Sequence, residues 1–160
     1  MAIAKLTSNT LDEYLQTMNR LGANIEKVAK RAVYEGAGII ADAVKREIET
    51  IQTTGPNESE KKRRETQKKG LKEGLGIAAM RSENGTTHTR VGFDGYNNIK
   101  TKKYPKGQPN QMIARTFNSG TSFTRKQPFF ERAVRASKKE AQQTMVKVAE
   151  TEMEEIINRR

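Results

Sequence analysis

Apolar residues recur through the first third of the chain at Leu11, Leu15, Met18, Leu21, Ile25, Val28, Ala32, Ile39, Ala43, Val44, Ile48 and Ile51. Steps of three or four place them on one helical face. They predict one amphipathic helix of roughly 40 residues, or two abutting helices. Ser8-Asn9-Thr10 offers an N-cap before Leu11, and Asp12 and Glu13 would put negative charge in the first turn. Gly22 and Gly36-Ala37-Gly38 have two readings, as bends in the helix or as places where a neighbour packs closely. Thr53-Thr54-Gly55-Pro56 stops the element, because proline cannot continue the hydrogen-bond ladder.

From Asn57 to Lys69 there is no apolar residue. A segment with no face to bury reads as a mobile basic loop (57–69), with a solvated helix as the other form it could take. Between Lys61 and Glu73, seven cations against two anions leave a local charge of +5. Residues 71–80 and 86–93 read as strands flanking Ser82-Glu83-Asn84-Gly85, since Asn-Gly is a strong hairpin signal. A basic loop marked by Pro and Gly follows at 99–110. Residues 111–118 read as a third strand turning at Gly120-Thr121.

Pro128 suits the first turn of a last helix carrying Phe130, Val134, Ala141, Met145, Val148, Ile156 and Ile157. Strands grouped between helices predict an α+β fold. It would have a long N-terminal helix, bent or straight, a small antiparallel sheet and a long C-terminal helix. A chain of 160 residues is most simply a single domain, 1–160. With 34% hydrophobic and 31% charged residues, its core must be thin.

Several chemistries lack their residues. There is no cysteine, which removes disulfides and thiolate metal sites, and His88 is the single histidine. A Ser-His-Asp triad would have to use this strand histidine, which reads as solvent-facing. Two-histidine and Cys/His metal patterns fail on count. Glu150, Glu152, Glu154 and Glu155 read as an exposed helix face. The run Gly70-Leu71-Lys72-Glu73-Gly74-Leu75-Gly76 lacks the Gly-Lys-Ser/Thr end of a phosphate loop. No catalytic, metal or cofactor residue is assigned, and a non-enzymatic protein is expected. Met1-Ala2-Ile3-Ala4-Lys5 has no apolar leader core and no stretch could span a bilayer, so a soluble cytoplasmic protein without membrane contact is expected.

The formal charge of +11 points to an anionic partner without naming it. Lys61, Lys62, Arg63 and Arg64, with Lys102 and Lys103, could neutralise phosphates or meet an acidic protein. No recognition helix or aromatic base-stacking surface accompanies them, which disfavours sequence-specific binding.

Four motifs in order carry a resemblance over residues 10 to 150. They are Gly70-Leu71 into Gly76-Ile77, then Val91-Gly92, then Phe117-Asn118-Ser119-Gly120-Thr121, and finally Gln127-Pro128-Phe129-Phe130-Glu131-Arg132-Ala133. Together they resemble the gene-product-ten-like tail-component family of long-tailed bacteriophages, the tail-completion or head–tail joining proteins. Asn118-Ser119 replaces the acidic residue usual before the Gly-Thr turn, and the basic insert at 57–69 is long.

The resemblance implies a structural virion protein of the neck or tail, made in host cytoplasm and assembled as a ring, hexameric in the family. Tail-terminator, tail-tube or head-closure proteins would be its neighbours, and genome DNA would pass it. It also makes Pro128, Phe129, Phe130, Phe117 and Thr121 candidates for subunit or partner contact. Phe130 is expected in the core and Phe129 at a neighbour, with both in the core as the alternative. A nonspecific DNA-binding protein and a tail-assembly chaperone absent from the finished particle are the competing readings.

Overall fold

The first helix, α1 (Ser8–Glu49), runs for 42 residues without a break in the computed structural model, which describes residues 8–159. Met1-Ala2-Ile3-Ala4-Lys5, read above for a targeting segment, lies outside the described residues. So do the side chains of Ser8, Asn9, Thr10, Leu11, Asp12 and Leu15. Because the helix already includes Ser8, Asp12 and Glu13 fall beyond its first turn, which holds no acidic residue. The glycines do not interrupt it. A Cβ on Gly36 would meet Met145 Cγ at 2.5 Å and the Ala141 carbonyl at 3.3 Å, so this glycine admits a neighbouring helix.

Residues 57–69 correct the mobile-loop expectation, for they form most of α2 (Glu58–Gly74). Asn57 Oδ1 accepts the Glu60 N–H at 2.9 Å, and Glu58 and Glu60 add negative charge at the helix start. The solvated-helix form therefore holds, started by a cap and fixed at its far end by buried Gly70 and Leu71. Gly74 has a separate reason: a Cβ there would overlap the Asp94 carbonyl.

The strands are shorter than expected. β1 (Leu75–Ile77) pairs antiparallel with β4 (Val91–Phe93), and β2 (Arg81–Glu83) pairs with β3 (Thr86–His88). These are two ladders of one hairpin, linked by Ala78 N–H donating to Arg90 O at 2.8 Å. Its tip is the expected Asn-Gly turn, with φ of 51° at Asn84 and 75° at Gly85.

The third strand predicted at 111–118 is instead a helix, α3 (Asn110–Ser119). Its buried residues Asn110, Ile113, Ala114 and Phe117 follow a 0, 3, 4, 7 spacing. The polar-apolar alternation seen in sequence came from counting exposed Gln111 and Arg115 against that stripe. Helix α4 (Phe129–Asn158) begins directly after Pro128 and runs back along α1. The fold is α+β, with the described residues forming a frame of four helices that carries a small antiparallel β-hairpin.

One core joins these elements. Val44, Ile48 and Ile51 from the α1 end, Leu71, Ile113, Phe117, Phe129 and Ala133 are all buried together. Here the aromatic assignment reverses. Phe129 is fully buried, while Phe130 is half-buried and packs against the core edge. Both rings lean on Phe93, at centroid distances of 6.1 and 6.2 Å. The first residue of α4 faces the α1–α3 side, so the position nearest Pro128 takes the core.

Two outcomes follow for stability. Phe129→Ala is expected to cost about 3–5 kcal/mol, with Phe130→Ala costing roughly half as much, in paired denaturant melts. Equal losses would contradict the burial difference. At the α1 terminus, the hydrogen bond from Lys72 to Glu49 holds the Glu49 carboxyl below its ordinary value; the ion pair is 2.6 Å long. A depressed folded-state value stabilises above the unfolded value of about 4.3 and is lost as pH falls through the folded value. Glu49→Gln should therefore remove a small part of the acid limb in melting temperatures measured between neutral and acidic pH.

Candidate functional site

Of the residues expected to touch a neighbour, Phe117 and Phe129 are buried in the chain's own core, Pro128 and Phe130 are half-buried, and Thr121 is exposed. Beside them stands Gln127, to which sequence reasoning gave no role. Its Oε1 accepts the Gln52 N–H at 2.7 Å and its Nε2 donates to Gln52 O at 3.1 Å. Its own N–H donates to Phe117 O at 2.8 Å. One amide thus ties the segment after α1 to the end of α3. Pro128 is half-buried behind it, and Phe117 is 1% exposed, so Phe117 is a core residue and not a contact surface. Asn118 has its Oδ1 accepting the Phe130 N–H at 3.1 Å. It satisfies one of the free donors at the start of α4.

Thr121 lies exposed in the segment between α3 and α4. Its Oγ1 accepts from Phe123 N–H at 3.2 Å and Thr124 N–H at 3.1 Å, closing a tight turn. That turn projects Phe123, which is 90% exposed. An aromatic held by a hydrogen-bonded turn with its ring in water is a stronger contact candidate than the Phe pair. The sequence signal was available, since Phe123 follows Gly120-Thr121-Ser122 with no apolar partner at helical spacing.

Phe123 stands at the rim of a cleft of about 570 Å³ between α2, α3 and this turn, with Arg63, Arg64 and Met112 along it. The four cations of residues 61–64 are not equivalent. Lys61, Lys62 and Arg63 are exposed, and Arg63 lies 3.4 Å from Glu60. Arg64 is half-buried and structural: its guanidinium donates to the Thr54 carbonyl and, at 3.1 Å, to Phe123 O. Arg64, expected with its neighbours to meet an anionic partner, is thus already engaged within the fold. Further along α2, Lys68 donates to Glu49 O at 2.7 Å and Ile51 O at 3.0 Å, neutralising carbonyls left free at the α1 terminus.

Lys102 and Lys103 are exposed on a braced finger between β4 and α3. Asn97 N–H donates to Gln108 O at 2.9 Å, and Asn97 Oδ1 accepts the Gln108 N–H at 3.2 Å. Gly107, at φ 115°, lies so close to the Asn97 carbonyl that no side chain fits. The Lys103 ammonium sits 5.5 Å from the Tyr104 ring centre. Gln67 on α2 donates to Gln108 Oε1 at 2.9 Å, so both predicted basic runs rest on the same buried polar seam.

No group of three or more His, Cys, Asp or Glu among the described residues could hold a metal. None of the described helices is long and apolar enough to cross a membrane. His88 is half-buried on β3 rather than fully solvent-facing. Glu150, Glu154 and Glu155 are exposed as expected, whereas Glu152 is partly covered and pairs with Arg31 at 2.6 Å.

No protein-family model, curated protein or solved structure matches this chain. The difference between Arg64 and its neighbours can be measured directly. Arg64→Ala should cost about 1–2 kcal/mol through two lost charge-assisted hydrogen bonds, discounted for partial exposure. Lys62→Ala should stay within about 0.5 kcal/mol of the parent. Identical denaturation midpoints for the two variants would contradict this assignment.

Proposed function

We propose that this chain is a structural, non-catalytic ring subunit of a long-tailed phage particle, a tail-completion or head–tail joining protein. Six copies are expected, seated in the neck or at the top of the tail beside tail-terminator, tail-tube or head-closure proteins. The observation that carries the reading is where the charge sits. Between residues 36 and 137 lie 20 of the 30 Lys and Arg and 10 of the 19 Asp and Glu, which leaves +10 there and +1 elsewhere. The first segment is the core end of the molecule. The remainder is mostly the arm formed by the α1 start and the α4 end, and it exposes Met18, Ile25, Val146 and Ile157.

A basic head and a nearly neutral arm with exposed apolar side chains suit two different contacts. Apolar, weakly charged surface favours protein association, whereas dispersed exposed cations favour a mobile anionic partner. In a neck, that partner is the passing genome or an acidic neighbouring ring, faced by Lys61, Lys62, Lys102 and Lys103. Weak, salt-screened contacts let DNA slide. The same cations favour a second reading as a nonspecific DNA-binding protein.

Negative-stain microscopy of the purified chain, together with particles lacking it, tests the proposal. Closed rings are expected, with filled heads and separate tails accumulating when the protein is withheld. Normal infectious particles formed without it would refute the reading. For the DNA alternative, duplex affinity is measured as salt rises. A steep log–log fall with submicromolar binding at physiological salt, and no rings, would favour it.

A further inference from the structure

The outer face of α4 ends in a stripe that no other described residue covers. Val146, Glu150, Glu154 and Ile157 are all exposed and follow steps of four, four and three, so they share one side of the helix. Val146 is 57% and Ile157 52% exposed. The opposite side carries buried Ala141 and Ile156 and half-buried Met145 and Glu152, which pack on or pair with α1. The stripe is therefore acidic and apolar, and it faces away from the chain's own core.

The cleft between α2, α3 and the Thr121 turn has the complementary character. Its rim carries exposed Arg63 and the 90% exposed Phe123, and Met112 lines its apolar part. Lys61 and Lys62 are exposed as well, but on other faces of α2 than the one that lines the cleft. The nearest carboxylates only partly answer these cations. Lys61 is 4.0 Å from Glu58 and Arg63 is 3.4 Å from Glu60, both exposed pairs of little strength. A cleft of about 570 Å³ has room for an aliphatic side chain such as Ile157.

We infer that the end of α4 docks into this cleft on a second copy of the chain. Ile157 enters beside Phe123 and Met112, and Glu154 faces Arg63. The inference rests on the ring reading and deepens it. Two different patches, one at the far end of the arm and one on the head, make a heterologous contact that repeats around a closed ring. Opposite charge at the rim sets register, and the apolar centre excludes water.

The absence of cysteine makes the test clean, because any disulfide reports engineered positions alone. Under mild oxidation, the full-length double variant Arg63→Cys with Glu154→Cys should give a ladder of covalent multimers. Mixing the two single variants should give linked dimers only, and each single variant alone should give neither. Glu154→Lys should weaken self-association several-fold in sedimentation, about tenfold at most, as loss of one rim pair and its replacement by repulsion imply. Adding Arg63→Glu should restore it.

Linkage by one single variant alone would show a two-fold contact and overturn the inference. Rings visible by microscopy with no ladder, or with no response to charge reversal, would overturn the docking site while leaving the ring reading intact. A chain that stays monomeric and unlinked would overturn both.

Discussion

The fold depends on one contact, where the last turns of α1 meet the first turn of α4 around Phe129. Val44 and Ile48 have no solvent exposure, and neither has Phe129; Ile51 and Ala133 close the same volume. The other elements that reach this core add a few side chains each: Leu71 from α2, Ile113, Ala114 and Phe117 from α3, and Leu75 and Phe93 at its edge from β1 and β4. A chain with 34% hydrophobic residues cannot build several cores, so it concentrates its apolar surface here.

Polar groups do the remaining positioning, and they act on backbone. Gln127 closes on both backbone groups of Gln52, and Lys68 on the carbonyls at the α1 terminus. Asn110 Nδ2 donates to Asp94 O at 2.9 Å while its buried Oδ1, near Gly70, has no donor. Each such group ties two segments distant in sequence, and buried backbone left without these partners would be costly. Exposed ion pairs such as Lys69–Glu73 contribute little beside them.

The same economy bears on function. Away from the core, α1 and α4 continue as an arm that covers only its inner face, leaving Met18, Ile25, Val146 and Ile157 in contact with water. The cations collect at the other end. A monomer gains nothing from a long arm with apolar residues outside, whereas an assembly can use both its neutral and its charged ends.

Periodicity by itself determined the long helices at both ends, the Asn84-Gly85 hairpin and the α+β class, because those signals are local and need no partner. It also showed that +11 of charge had to be solvated. The tertiary structure decided what local pattern leaves degenerate. Residues 111–118 could alternate as a strand, and became helical because Ile113, Ala114 and Phe117 reach the core only on one helical face. Residues 58–69 could be loop or helix, and the Asn57 cap with the buried Leu71 anchor selected helix. Phe129 and Phe130 are chemically identical neighbours, so only the direction in which α4 leaves Pro128 could assign one to the core. Phe123 is exposed for the matching reason, since the Thr121 turn holds it at the edge of a cleft and outside the core.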